Sequence, residues 1–139
     1  MIQGRCLCGA IHYECNEQAM TTAVHCHCKD CQRVTGSGKA TVAMFPQGAV
    51  NISGSYKCFA NIGSDGSHVE RGFCPRCGSQ MFTFVKEIPD HVFIKAGTMD
   101  NSDWLSVALT CWTDSASTWS PADAALPSVN KNPPLGDTQ

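Results

Sequence analysis

Apolar and polar residues alternate along short stretches of this chain, and glycines, prolines and polar turns separate the stretches. Over residues 10–15, Ile11, Tyr13 and Cys15 fall on one side and His12 and Glu14 on the other, as in a half-buried strand. By the same criteria, short strands are predicted over residues 21–28, 40–45, 50–53, 56–60, 68–73, 80–85, 92–96 and 105–113. Many short strands with frequent turns predict a mainly β fold.

Helical signals occur in two places. Residues 29–34 allow one helical turn, which ends at the breaker run of residues 35–38. Ser120 and Pro121 suit an N-cap and a first helical position, so a short helix is predicted over residues 122–126. The segment 127–139 holds three of the seven prolines and few apolar residues. We therefore expect one domain over residues 1–126 and a loose tail over residues 127–139.

Composition narrows the classes of protein that this chain can belong to. Its 139 residues suit one domain with a real core, and 42% hydrophobic against 16% charged residues excludes a disordered chain. A net charge of −2 gives no pull towards nucleic acid or anionic lipid, so neither is expected as a partner. We see no signal peptide and no apolar run of membrane-spanning length, and so expect a cytoplasmic protein. The three tryptophans are expected to pack in the core.

The ten cysteines provide the chemical signal. Seven are clustered in C-x-C, C-x-C-x-x-C and C-x-x-C spacings, namely Cys6 and Cys8, then Cys26, Cys28 and Cys31, then Cys74 and Cys77. A disulfide within a C-x-C pair would close a strained ring, so reduced thiolates that bind zinc are the better interpretation. Cys15, Cys58 and Cys111 stand alone and are expected to be small buried apolar groups.

Seven thiolates divide into a closed set of four and an open set of three. We expect Cys6 and Cys8 to join Cys74 and Cys77 in one tetrahedral site, with the local triplet left three-coordinate; spacing alone also permits Cys26 or Cys28 in the closed site. If residues 21–28 are extended, His25 and His27 point away from the metal. The alternative is that one of them is a ligand.

Four motifs, in this order along the chain, carry a family resemblance. They are Gly4-Arg5-Cys6-Leu7-Cys8-Gly9-Ala10-Ile11, Cys26-His27-Cys28-Lys29-Asp30-Cys31-Gln32-Arg33 with Thr35-Gly36-Ser37, Arg71-Gly72-Phe73-Cys74-Pro75-Arg76-Cys77-Gly78-Ser79 and Ala96-Gly97-Thr98-Met99-Asp100. From about Gly4 to Trp119 the chain resembles the glutathione-dependent formaldehyde-activating enzyme family, which also includes centromere protein V. The resemblance implies a fold of small coiled β-sheets braced by zinc, with one or two short helices.

The resemblance also implies site roles. It implies a structural zinc at Cys6, Cys8, Cys74 and Cys77 and a catalytic zinc at Cys26, Cys28 and Cys31, hence two zinc ions per chain. The family's reaction joins glutathione and formaldehyde into S-(hydroxymethyl)glutathione, which is a carbon–sulfur lyase reaction run in reverse. A small thiol and a small aldehyde are therefore the expected partners.

Four polar residues next to the triplet are candidates for supporting roles. Arg33, Thr35 and Ser37 are placed to stabilise the oxygen of the adduct, and Gln32 or Arg33 to orient the thiolates by hydrogen bonds. The rival function is a non-catalytic zinc module that binds another macromolecule. A triplet that opens into a pocket favours the enzyme, and a fourth protein ligand favours the module.

Overall fold

A computed structural model describes residues 1–133, and strands account for most of its regular structure. The ten strands are β1 Ile2–Arg5, β2 His12–Cys15, β3 Thr22–Cys26, β4 Ala40–Pro46, β5 Val50–Ser53, β6 Lys57–Ile62, β7 His68–Phe73, β8 Gln80–Val85, β9 His91–Lys95 and β10 Leu109–Cys111. One α-helix, α1, spans Lys29–Thr35, and 3-10 turns span Glu17–Ala19, Gln47–Ala49, Ala96–Thr98 and Thr113–Ser115. The predicted mainly β fold of small sheets with one or two short helices is confirmed, and one α-helix is present among residues 1–133.

The strands form two sheets. The smaller sheet has the order β1-β2-β5, and the larger has the order β10-β3-β4-β9-β8-β7-β6. Neighbouring strands are antiparallel, except that β10 runs parallel to β3. Most of the strand residues therefore belong to the larger sheet.

One face of the larger sheet packs against the smaller sheet. Tyr13 of β2 meets the ring of Phe82 of β8 edge-on, with centroids 5.7 Å apart. Ile11 and Cys15 join them, together with Phe45 and Ile94 of the larger sheet, and all six side chains are buried. Burial of this much apolar surface is the main stabilising contribution of the fold.

The opposite face of the larger sheet carries a second apolar cluster. Cross-strand pairs place Val24 beside Val42 and Met44 beside Phe93, and paired residues point to the same face. These four residues are buried, together with Cys111. The second cluster forms the floor beneath the cysteine triplet.

The observed elements differ from the predictions at the two ends of the chain. β1 is a strand that the sequence did not predict, because Ile2 is the one apolar side chain among its four residues. Only Leu109–Cys111 of the predicted strand 105–113 is extended. The helix predicted over residues 122–126 is wrong, since that stretch forms turns; the cap signal at Ser120 and Pro121 is not followed by an apolar face that the domain could bury.

The segment after residue 126 contacts the larger sheet. The amide of Thr110 donates to the carbonyl of Pro127, and the amide of Val129 donates to the carbonyl of Thr110, at 3.0 and 2.9 Å. The amide of Trp112 donates to the carbonyl of Lys131 at 3.0 Å. Residues 127–131, predicted to be loose, thus run along β10, while residues 134–139 lie outside the described residues.

The tryptophans separate into two groups. Trp104 and Trp112 pack against the first and second apolar clusters. Trp119 is 70% exposed, so the prediction of a core position is wrong for this residue. No helix within residues 1–133 has the length and apolar character needed to cross a membrane.

Candidate metal centres

The first cysteine cluster joins the N-terminal loop to the turn after β7. The Sγ atoms of Cys6, Cys8, Cys74 and Cys77 all lie within 4.8 Å of one another. Cys6 and Cys8 are 3.6 Å apart, and Cys8 and Cys74 are 3.8 Å apart. A tetrahedron of sulfurs about 2.3 Å from zinc has edges of roughly 3.8 Å, so the four sulfurs fit such an ion.

Backbone and hydroxyl donors hold these sulfurs in place. The amide of Ile11 donates to Cys6 Sγ at 3.3 Å, and Ser79 Oγ lies 3.2 Å from Cys77 Sγ. The Ser79 hydroxyl is the main cause of a lowered pKa of Cys77, to about 5. Gly78 adopts a φ of 80°, which lets the chain turn sharply after the second sulfur. These donors favour the thiolate form that a metal needs.

The second cluster lies where β3 passes into α1. The Sγ atoms of Cys26, Cys28 and Cys31 lie within 4.8 Å of one another. Cys28 is the N-cap of α1, and its sulfur accepts the amide hydrogen of Cys31 at 3.3 Å. Hydrogen bonds from Cys26 and Cys31, and then from that amide, lower the pKa of Cys28. The hydrogen bonds from Cys26 and Cys31, with a smaller contribution from the capping amide, therefore give the cluster one sulfur that is favoured as a thiolate.

The three sulfurs form part of the wall of a cavity of about 410 Å³. The other walls come from the second face of the larger sheet, from the 63–67 turn and from residues 132–133. Among residues 1–133, no further His, Cys, Asp or Glu lies within 4.8 Å of all three sulfurs. The cluster is thus three-sided and opens towards the cavity.

Both histidines of the motif point elsewhere. His25 Nδ1 lies 2.7 Å from Thr41 Oγ1, on the strand beside β3. His27 is fully buried, and neither ring nitrogen has a hydrogen-bond partner among residues 1–133. Burial lowers the pKa of both imidazoles. This placement follows the side-chain alternation expected of an extended segment.

Three cysteines lie outside the two clusters. Cys111 is paired with Cys26 across β10 and β3 and lines the same cavity, and its side chain is the largest contribution to the raised pKa of Cys26. Cys15 is buried in the first apolar cluster, as expected. Cys58 is exposed on β6, so the prediction of burial is wrong for it.

The polar residues that follow the triplet lie outside the cavity. Gln32 is buried, and its Nε2 donates to the carbonyls of His27 and Ser115 at 2.8 and 2.9 Å, which ties α1 to the turn after β10. Thr35 Oγ1 donates to the carbonyl of Cys31 at 2.7 Å. Arg33 and Ser37 are exposed. Gln32 and Thr35 thus hold the backbone that carries the sulfurs.

Three polar residues of the cavity wall were not anticipated from the sequence. They are Arg71 of β7, Thr83 of β8 and Lys95 of β9. Lys95 directly follows the apolar run Val92–Ile94. A charged residue at the end of a buried strand is uncommon, and this is the one sequence feature that indicates a site at Lys95. All three are far in sequence from Cys26, Cys28 and Cys31, so only strand pairing shows that they lie near the triplet, although Arg71 belongs to the third cysteine motif.

A mainly β fold with one cluster of four and one cluster of three cysteine thiols defines a class of small proteins whose cysteine clusters could hold metal ions. The model of the family described as glutathione-dependent formaldehyde-activating enzyme matches residues 1–115. The chain belongs to this family, and the resemblance seen in the four motifs is confirmed.

Two further similarities agree with this assignment. A protein of Halomonas elongata, provisionally named as a glutathione-dependent formaldehyde-activating enzyme, is 24% identical over 113 residues, which cover 73% of this chain and 67% of that protein. A crystal structure of a Rhodobacter sphaeroides protein is similar in fold, with a TM-score of 0.57 and 20% identity over 76% of this chain and 96% of that one.

Proposed function

We propose that this protein is a zinc-dependent carbon–sulfur lyase-type enzyme that acts on the adduct of a thiol and a small aldehyde. The observation that carries this proposal is the open cysteine triplet in the wall of a cavity of about 410 Å³. The family name supports glutathione and formaldehyde as the reacting pair. Because the chemistry needs reduced thiols, we place the protein in the cytoplasm.

We assign two metal positions per chain. Cys6, Cys8, Cys74 and Cys77 would hold a structural zinc, and Cys26, Cys28 and Cys31 would hold a catalytic one. When bound by three thiolates, zinc supplies one exchangeable coordination position at which an added thiol is held as its thiolate near neutral pH.

The residues around the triplet prepare it for that role. Cys28 is held by the first turn of α1, and Gln32 ties that turn to the backbone at Ser115. Apolar side chains of the second cluster, among them Val42 and Phe93, exclude water from one side of the cavity. A thiolate held here is therefore poorly hydrated, which raises its reactivity towards a carbonyl carbon.

In the synthetic direction a sulfur–carbon bond forms and the carbonyl π bond breaks. The proton that the thiol loses on binding returns, through solvent in the open cavity, to the carbonyl oxygen. Thr83 carries a hydroxyl on the cavity wall and is the side chain that we assign to orient this oxygen. The lyase direction runs through the same steps in reverse.

Cobalt substitution tests the open position. Co²⁺–thiolate absorption depends on the number of sulfur ligands, so adding a thiol such as glutathione to the cobalt protein should shift the spectrum and release about one proton. Replacing Cys26, Cys28 or Cys31 with Ser should abolish the shift, and aldehyde consumption should be lost with it.

Cys111→Ser is the matched control, because Cys111 lines the same cavity outside the cluster. It should leave the shift intact. If the wild-type spectrum already shows four sulfurs before a thiol is added, and Cys111→Ser reduces them to three, Cys111 closes the site. The proposal would then give way to a non-catalytic zinc module.

A further inference from the structure

Two buried cations face the cysteine triplet across the cavity. Arg71 and Lys95 are only 7% and 8% exposed, and both line the cavity that holds the sulfurs. Arg71 is paired with Thr83 across β7 and β8, and Lys95 Nζ donates to Thr83 Oγ1 at 3.0 Å. Arg71 on β7 and Lys95 on β9 therefore lie on either side of the Thr83 hydroxyl, which belongs to β8, the strand between them.

Both cations keep unused hydrogen-bond donors. An ammonium has three donors, and within residues 1–133 Thr83 is the hydrogen-bond acceptor found for Lys95. A guanidinium has five, yet Arg71 makes two long contacts, from Nε to Asn61 Oδ1 at 3.4 Å and from Nη2 to Asp30 Oδ2 at 3.9 Å. The guanidinium nitrogens that lack a partner among the described residues are not fully buried, so they remain open to an acceptor that enters the cavity.

The charges near the cavity leave room for an anion. Three thiolates with a divalent cation would carry a net −1, and Arg71 and Lys95 face them; burial lowers the pKa of Lys95, and the cysteines of the triplet partly offset this. Asp30 offsets part of the charge of Arg71, but its side chain is 28% exposed and 3.9 Å from Arg71. Asp65 and Glu87 also line the cavity, but both are exposed and bonded to Ser67 and His68 respectively. The Arg71 guanidinium stays charged in the buried part of the site, and an anion bound beside it would also favour the ammonium form of Lys95.

We propose that Arg71 and Lys95 bind a carboxylate of the substrate, so that the site selects a thiol or an aldehyde with a carboxylate close to its reacting group. This inference rests on the proposed function and names the class of its substrate. A carboxylate accepts two hydrogen bonds from a guanidinium and one from an ammonium. A cavity of about 410 Å³ has room for such a small molecule.

Matched pairs of small molecules test the proposal and show which reactant carries the carboxylate. Mercaptoacetate differs from 2-mercaptoethanol in replacing the hydroxymethyl group with a carboxylate, and glyoxylate differs from glycolaldehyde in the same way. Binding of the thiols is measured from the spectrum of the cobalt protein. The aldehydes are compared by the shift in melting temperature and by kcat/KM.

In the wild-type protein, we expect the carboxylate member of at least one pair to be favoured about tenfold or more. Lys95→Met should reduce this preference to within about twofold of unity, with little change for the uncharged member. Lys95→Arg should retain much of the preference, because it keeps the charge. Lys57→Met, on the exposed face of β6, should change neither member.

Three outcomes would overturn the proposal. One is the absence of any preference within either pair in the wild-type protein. The second is an equal weakening of both members in Lys95→Met, which would mean that the cations only balance the thiolate charge. The third is an unchanged preference in a folded Lys95→Met protein. If that variant fails to fold, as circular dichroism would show, Lys95→Gln and the Lys95→Arg comparison decide.

Failure of the proposed lyase reaction can be distinguished from failure of the carboxylate site. If no sulfur–carbon bond forms, carboxylate-dependent binding to the cobalt protein and the shift in melting temperature still report on Arg71 and Lys95. If the reaction occurs with equal efficiency for charged and uncharged pairs, the lyase assignment stands and the carboxylate site does not.

Discussion

At the scale of single residues, Gly4 shows how the close approach of neighbouring atoms restricts which side chain a position can hold. Gly4 of β1 lies against the ring of Tyr13 and against the segment after β9. In that segment, Met99 forms an isolated antiparallel β-bridge with Gly4. A Cβ at this position would lie 2.6 Å from the carbonyl oxygen of Thr98 and would also overlap the Tyr13 ring. The Tyr13 hydroxyl in turn bonds Thr98 Oγ1 at 2.9 Å. Gly4 thus fixes how closely the two sheets approach.

Gly4→Ala should destabilise the protein by about 1–3 kcal/mol, because the added methyl group has no space unless backbone or a buried ring moves. Urea denaturation of the zinc-loaded protein measures this free energy of unfolding. Gly48→Ala is the control, since a Cβ there meets no atom within 4 Å. Equal stability of the two variants would show that the approach at Gly4 is looser than described.

At the scale of elements, each cysteine cluster joins segments in a different way. The four-cysteine cluster ties the loop after β1 to the turn after β7, more than sixty residues later along the chain. The triplet lies within β3, α1 and the link between them, where hydrogen bonds already hold the backbone. A metal in the first cluster therefore restricts the unfolded chain far more than a metal in the second.

Loss of one ligand from each cluster should have unequal effects. The wild-type protein, purified without chelator, should contain close to two zinc ions, and Cys74→Ser and Cys28→Ser about one each. Cys74→Ser should lower the melting temperature by about 10 °C or more, because a structural metal contributes its binding free energy to folding. Cys28→Ser should lower it by a few degrees and abolish thiol binding.

The comparison is decided by the two melting curves and by metal analysis of the same samples. Equal destabilisation by the two variants would contradict the unequal roles of the clusters. A wild-type zinc content that stays at one, with all thiols protected from oxidation, would contradict the assignment of two zinc positions.

At the scale of the whole molecule, the C-terminal segment completes both the sheet and the cavity. Residues 127–131 bond along β10, and residues 132–133 form part of the cavity wall. Trp112 Nε1 donates to Asn132 Oδ1 at 2.5 Å, and Asn132 Nδ2 donates to Asp65 Oδ2 in the 63–67 turn. The segment thus crosses from the β10 edge of the sheet to the far side of the cavity.

A chain that ends at residue 126 should be less stable and should bind thiols more weakly. It loses backbone hydrogen bonds to β10, each worth about 1 kcal/mol, and so should melt several degrees lower. Its cobalt form should need a several-fold higher thiol concentration for half-saturation. A chain that ends at residue 133 keeps every described contact and should match the full chain. If the 126 chain also matches it, the segment has no part in the site.

The sequence by itself determined the strand-rich class, most of the strands and the seven clustered cysteines. It could do so because alternation and close cysteine spacing are local patterns, and side chains two residues apart on a strand point the same way. The short helix after the second C-x-C was also local, since Cys28 caps it and Gly36 ends it in the left-handed conformation.

Only the tertiary structure decided what surrounds the triplet. Arg71, Thr83 and Lys95 come from three different strands, and their meeting depends on the order and register of the larger sheet. The same holds for Cys111, which reaches Cys26 through a parallel pairing that no local pattern signals. The pairing of strands that are distant in sequence is set by the packing of the whole core. A local sequence pattern therefore predicts the metal ligands but not the groups that would select the substrate.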